Sequence, residues 1–271
     1  MIGRERFAEV TTTPYVGNLD DDNGDGVVNH DDVPEVVVIA FDSADGTDPS
    51  NDALKGHLVV IDGATGDTLW SRPGYNGFSG PALADVDGDG VTDIVAFGSN
   101  GEIRAISASG DVIWTSPQVV DTVYPQATVA DLDADGTVEV IADRFVVDGV
   151  TGALEFEMPL SRSIFVRMPA VGDLDLDGTQ EVVLGNKVFD HQGNVEWETD
   201  LLGTMGHWSA LVDADGDPEA EIAMIGGGEL RVLNHDGSEY SRAWVGAANA
   251  GPPCAGDFDG DRQAEIGWAS E

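Results

Sequence analysis

The sequence predicts an all-β chain assembled from repeated four-stranded units, and three observations carry that expectation. An acidic motif recurs once per unit. Each copy is flanked by short β-branched runs. No segment of useful length has the apolar period of a helix. The motif is clearest as "DVDGDGVTD", Asp85 to Asp93, and returns as "DLDADGTVE" from Asp131, "DLDLDGTQE" from Asp173, "DADGDPEAE" from Asp213 and "DFDGDRQAE" from Asp257. Successive starts lie 46, 42, 40 and 44 residues apart.

Each element of the unit has its own signal. A short apolar stretch precedes the motif, as in "GPALA" (80–84) and "WSALV" (208–212). A β-branched run follows it: "EVVVIA" (35–40), "DIVAFG" (93–98), "EVIAD" (139–143), "EVVLG" (181–185) and "EIAMIG" (221–226). A second run comes next, such as "HLVVID" (57–62) or "ELRVLN" (229–234), then a glycine-containing turn such as "GATG" or "SASG". The last run ends in an aromatic at Trp70, Trp114, Phe156 or Trp197. Four short strands with turn chemistry between them, repeated at this period, predict the blades of a β-propeller. A β-solenoid has shorter repeats, and a sandwich does not repeat its loops so closely.

The expected blades span residues 15–73, 79–117, 124–161, 166–202, 207–246 and, in part, 251–271. The last copy stops at Glu271 after its acidic loop and "EIGWAS". The amino-terminal "ERFAEV" is expected to supply one strand to it, and the parent ring is expected to hold more blades than these.

Composition narrows the function. The chain has 271 residues and a hydrophobic fraction of 41%, enough for a core. Its 51 Asp and Glu stand against 12 Lys and Arg, a formal net charge of -39. Such a field repels nucleic acid and anionic membranes, so neither is an expected partner. Cys254 is the single cysteine, which excludes an internal disulfide. The first residues show no signal-peptide pattern, and no apolar run approaches a membrane span.

The acidic loops read as cation sites. Two unit charges 4 Å apart repel by about 4 kcal/mol at an effective dielectric of 20, and four carboxylates contain six such pairs. A dication turns that repulsion into binding energy coupled to folding. Calcium takes six to eight oxygen ligands, whereas magnesium keeps several waters and strict octahedral geometry, so calcium is the expected ion, up to about one per blade. Counting the first acid as position 1, carboxylates occupy positions 1, 3, 5 and 9, and the backbone carbonyl of position 7 can join them. The candidate ligands are Asp85, Asp87, Asp89, Val91 and Asp93; Asp131, Asp133, Asp135, Thr137 and Glu139; and Asp173, Asp175, Asp177, Thr179 and Glu181. They continue with Asp213, Asp215, Asp217 and Glu221, and with Asp257, Asp259, Asp261 and Glu265. Glycine at position 6 (Gly90, Gly136, Gly178) reverses the chain with positive φ. Pro218 and Arg262 replace it in two loops, where weaker or empty sites are expected.

An irregular sixth copy opens the chain, "NLDDDNGDGVVNHDDVPE" from Asn18 to Glu35. One register uses Asn18, Asp20, Asp22 and, after an insertion, Glu35. A second matches a twelve-residue EF-hand loop with Asp21, Asn23, Asp25, Gly26 and Asp32 in place. One ion in either register, or two neighbouring ions, fits the spacing.

The motif within a blade-length period resembles the FG-GAP or VCBS-type repeats of the integrin alpha-subunit propeller and its bacterial relatives, from about Tyr15 to Ser270. The resemblance implies a calcium loop on the hairpin between the first two strands of each blade, in a ring of seven or more blades. Locally, "VIDGATGDTLW" (60–70) resembles the tryptophan-docking repeat of quinoprotein propellers, with Asp62, Thr65, Gly66 and Trp70 matching, and "VVDGVTGALEF" (146–156) is a degenerate copy. That resemblance implies an aromatic packed between blades; no constellation for a quinone is present.

No catalytic set rises above background. The histidines at 30, 57, 191, 207 and 235 lack zinc spacing, and no nucleophile elbow or phosphate loop occurs. The expected function is therefore a non-catalytic, calcium-stabilised adhesion or ligand-binding module of a secreted or cell-surface protein. It is expected within a longer multidomain chain that recognises a protein or carbohydrate. The acidic insertion from Phe41 to Gly56 is the candidate recognition loop. The alternative is a domain of a calcium-dependent polysaccharide lyase, against which the presence of only two lysines, Lys55 and Lys187, counts.

Overall fold

The computed structural model describes residue 10 and residues 12–41, 56–120, 124–160, 166–200, 208–246 and 251–269. The insertion between Phe41 and Gly56 and the run "ERFAEV" lie essentially outside the described residues. Among those described there is no helix, and the fold is the expected β-propeller type.

Five four-stranded antiparallel sheets follow one another, each with its strands in sequence order. The first holds Tyr15–Gly17, Glu35–Ala40, Gly56–Ile61 and Thr68–Tyr75. The second holds Ala82–Ala84, Asp93–Phe97, Glu102–Ile106 and Val112–Val119. The third is Ala127–Ala130, Glu139–Ala142, Phe145–Asp148 and Leu154–Glu157. The fourth is Ala170–Gly172, Glu181–Leu184, Lys187–Phe189 and Val195–Glu198. The fifth is Trp208–Val212, Glu221–Gly226, Glu229–Leu233 and Glu239–Trp244. A two-stranded sheet, Cys254–Gly256 with Glu265–Gly267, follows. By contact density the chain forms two compact units. One comprises Met1–Val129, Thr137–Ala142 and Val147–Glu155; the other comprises Ala130–Gly136, Asp143–Val146 and Phe156–Glu271.

The β-branched runs form the second strands because they are buried on both faces. Every residue of Asp93–Phe97 and of Glu221–Gly226 is buried. In the first unit Val37, Ile39, Leu58 and Val60 pack with Ile94, Ala96 and Ile106 of the next sheet. In the second unit Val183 and Val188 pack with Ile222, Met224 and Leu233.

Register places the acids. The last residue of the first strand pairs with the position 9 acid at Gly17 with Glu35, Ala84 with Asp93, Gly172 with Glu181, Val212 with Glu221 and Gly256 with Glu265. The extra residues of the first loop leave this pairing unchanged. A one-residue slip would turn every buried side chain to the wrong face, so the acid is held wherever the strand is held.

The aromatic that ends each of the first four sheets docks on the next turn. Trp70 Nε1 donates to Ala108 O at 2.8 Å, Trp114 Nε1 to Gly149 O at 2.7 Å and Trp197 Nε1 to His235 O at 2.7 Å. The rings lie against Gly110, Gly152 and Gly237, and Phe156 lies against Gly193. These glycines have φ between 68° and 83°, and a Cβ at Gly152 or Gly193 would stand 2.4 Å from the nearest ring atom, a steric clash. Ser241 occupies the equivalent place in the fifth sheet.

Trp114 is buried whereas Trp244 is 73% exposed, which sets a paired test. Trp114→Ala is expected to destabilise the fold by about 3–5 kcal/mol, and Gly152→Val to lower the melting temperature in the same direction. Trp244→Ala is expected to change stability by less than about 0.5 kcal/mol. Chemical denaturation of the three variants checks this.

Candidate metal centres

In the second sheet's loop, Asp85 heads the turn. Its Oδ1 accepts the amides of Gly88 at 2.8 Å and Asp89 at 3.1 Å, and its Oδ2 accepts that of Gly90 at 2.9 Å. The Val91 amide goes to Asp89 Oδ1 at 2.8 Å. Gly88 and Gly90 are both left-handed, with φ of 78° and 88°. The turn therefore needs positive φ at positions 4 and 6, and sequence reasoning identified only position 6. Position 4 is glycine in some copies but Ala134 (φ 60°) and Leu176 (φ 63°) in others, so no constant residue type marks it.

The two loops without a position 6 glycine differ from each other. Arg262 takes φ 75° and donates its amide to Asp257 Oδ2 at 2.9 Å, so the turn is unchanged and the chain accepts the strain, about 1–2 kcal/mol. Pro218 has no N–H to give. Asp213 receives the Gly216 amide at 2.8 Å, but the bond from position 6 is lost.

The first loop combines both registers. Asp21 heads its turn, accepting the amides of Gly24 and Asp25 on Oδ1 and of Gly26 on Oδ2. Gly24 and Gly26 carry the two positive φ values, and Asp32 accepts the amides of Asn23 and Asn29. This is the EF-hand register. Glu35 nevertheless bonds the Leu19 amide at 2.7 Å, as the Asn18 register requires. Asp22 instead receives the Val33 amide at 3.1 Å, stitching the insertion to itself.

The position 9 acids are the buried members of the set. Glu35, Asp93, Glu139, Glu181 and Glu221 are each 5% exposed or less. The amide of position 2 donates to this acid, at 2.8 Å from Leu174 to Glu181, 2.7 Å from Ala214 to Glu221 and 2.7 Å from Phe258 to Glu265. Asp93, one methylene shorter, is reached by Val86 at 3.2 Å.

The loops bring carboxylate oxygens within 4.8 Å of one another as Asp85, Asp87 and Asp93, as Asp173, Asp175 and Glu181, and as Asp213, Asp215 and Glu221. In the last loop all four acids, Asp257, Asp259, Asp261 and Glu265, meet this limit. Position 5 holds the amide of position 7 in that loop, from Gln263 to Asp261, as Asp89, Asp177 and Asp217 do in theirs. In the third loop Asp131 repeats the turn, accepting the amides of Asp135 at 3.1 Å and Gly136 at 3.0 Å. Glu196, absent from the sequence-derived set, joins the fourth loop's field: burial raises its pKa, and the charges of Asp175, Asp190 and Asp177 add to it.

A hard cation fits these residues. Every candidate side-chain donor is oxygen, and two buried acceptors, Asp173 Oδ1 and Asn18 Oδ1, have no hydrogen-bond partner. Asp173 belongs to the clustered set of the fourth loop.

No family model matches the chain, and no curated protein sequence matches it either. Solved structures do. The biofilm matrix protein Bap1 of V. cholerae superposes with a TM-score of 0.77 at 23% identity, covering 92% of this chain and 42% of its own. The exotype rhamnogalacturonan lyase YesX gives 0.66 at 15% identity, covering 95% and 53%. The rhamnogalacturonan lyase PL11 of Bacillus licheniformis gives 0.58 at 18% identity, covering 95% and 43%. The chain thus spans about half or less of each of these proteins. At these identities the likeness shows the fold.

Without a cation, burial pushes Asp93 up to about 6 and Glu181 up to about 7; the position 2 amide opposes the shift, and the neighbouring loop acids reinforce it. Glu35 and Glu221 are raised for the same first reason. The folded state therefore binds protons more tightly than the unfolded chain. The stability this confers is full below the unfolded carboxyl range, near 4, and is lost as pH rises through 6 to 7. Metal-free protein is expected to melt at a higher temperature at pH 5 than at pH 7.5. Melting curves across that range in chelator check it; a rise in stability with pH would contradict it.

Proposed function

We propose that this chain is a calcium-binding propeller of the FG-GAP or VCBS type, acting outside the cell as a non-catalytic adhesion or ligand-binding module of a larger protein. The observation that carries the reading is the recurrence of one turn, with its buried position 9 acid, at the same place in successive sheets. Oxygen-only ligands on loops that wrap one centre suit calcium, and loops of this kind in extracellular modules bind at about 10⁻⁴ to 10⁻³ M, matching calcium outside cells. Likeness in fold to a biofilm matrix protein is compatible with an extracellular binding role. Polysaccharide lyases share the fold as well, so the absence of catalysis is part of the proposal.

In this reading Asp173, Asp175 and Glu181, with their counterparts in the other four regular loops, hold the ion, which supplies positive charge and cross-links the two strands of the hairpin. The position 2 amide keeps the closing carboxylate aimed into the loop. Calcium is expected to raise the melting temperature and chelator to reverse it. Each loop contributes about 1.4 kcal/mol at ten times its dissociation constant. Asp173→Ala is expected to reduce the calcium stoichiometry by one. An unchanged melting temperature in chelator would overturn the metal reading. Turnover of uronate polymers, assayed with and without calcium, is expected to be absent; robust lyase activity would overturn the non-catalytic one.

A further inference from the structure

Within the first unit a cavity of about 340 Å³ opens beside the first acidic loop. Leu19 and Asp20 of that loop line it, with Val60, Leu69 and Trp70 of the first sheet and Ala108 of the turn that Trp70 docks on. The walls are hydrocarbon apart from Asp20 and Ser109. Leu19 and Val60 belong to the core, whereas Leu69 is 42% exposed. The Trp70 indole N–H is already committed to Ala108 O, so the ring offers a π surface and no donor. That surface already takes a cation: the Arg72 guanidinium carbon lies 5.4 Å from the ring centroid. Arg72 itself is bound to the carbonyls of Gly110 and Ser109.

Asp20 is the one charged residue in the lining. The turn of the loop is headed by Asp21, and the backbone amide of Asp20, like that of Leu19, bonds the Glu35 carboxylate. It stands in the field of Asp21, Asp22, Asp32 and Asp62.

We propose that this cavity binds a primary alkylammonium group, the side chain of a lysine presented by a partner protein. The chemistry selects it. Anionic groups meet a net charge of -39 and a carboxylate at the mouth. A neutral apolar group fills the walls but leaves Asp20 desolvated and unanswered. An aliphatic stem against Leu19, Val60 and Leu69, with its ammonium between Asp20 and the Trp70 face, satisfies both. It gains a charge-assisted hydrogen bond and a cation–π contact. A pocket of this volume is at the lower end of small-ligand sites, the size for one side chain rather than an extended polymer. The inference rests on the binding-module reading and gives it a ligand chemistry; Asp20, a candidate calcium ligand from the sequence, serves the cavity instead.

The test uses the whole chain in saturating calcium. Nα-acetyl-lysine methylamide is titrated while the Trp70 indole N–H resonance is followed by NMR, the peak being assigned by its loss in Trp70→Phe. A saturable shift is expected. Asp20→Asn, and separately an Nε-acetylated probe, are expected to weaken binding by about tenfold or more, the loss of one charge-assisted hydrogen bond. Leu69→Gln is expected to weaken the probe while leaving the calcium-induced rise in melting temperature unchanged. Equal affinity for the acetylated probe, equal affinity in Asp20→Asn, or a Trp70 shift with a neutral hexose but not with the amine would each overturn the proposal. Calcium stabilisation with no probe binding overturns the cavity alone. Probe binding with no calcium stabilisation overturns the metal reading alone.

Discussion

A carboxylate buried at the start of a strand is costly unless something answers its charge. This chain places such an acid at the same point in successive sheets, at Glu35, Asp93, Glu139, Glu181 and Glu221. The amide of position 2 partly answers it at Glu35, Asp93, Glu181 and Glu221. The remaining carboxylates of the loop make the problem worse, since they raise the pKa of the buried one further. The turn and the register are arranged around that conflict, and a cation held by the clustered carboxylates would resolve it.

The second recurrent interaction carries no charge. An aromatic at the end of one sheet sits on a glycine of the following turn and spends its indole proton on a nearby carbonyl. A methyl group at that glycine would crowd the ring, most severely at Gly152 and Gly193. Packing between sheets thus depends on an absent side chain, as the loops depend on glycines that allow the chain to reverse. The abundance of glycine serves both needs.

Fold class was legible because repetition removes ambiguity. A single run such as "EVVLG" reads equally as strand or buried helix, but several in the same relation to an acidic turn do not. The candidate ligands were legible for the same reason. The details were less so. Position 4 escaped notice because Ala134 and Leu176 share no type with the glycines there. The consequences of Arg262 and Pro218 could not be told apart from residue type alone: one keeps its amide and accepts strain, the other has no amide to offer.

By itself, the sequence determined the repeat, the strand order within each sheet and the acids that line each loop, since these follow from local period and spacing. Only the tertiary structure decided how the first loop divides its labour. Asp21 heads the turn there, while Glu35 closes on Leu19 across the insertion. It also decided that Asp20 faces a cavity built with Trp70 and Ala108. Both outcomes turn on which backbone amides and which neighbouring sheet come within reach, and spacing along the chain does not encode that distance.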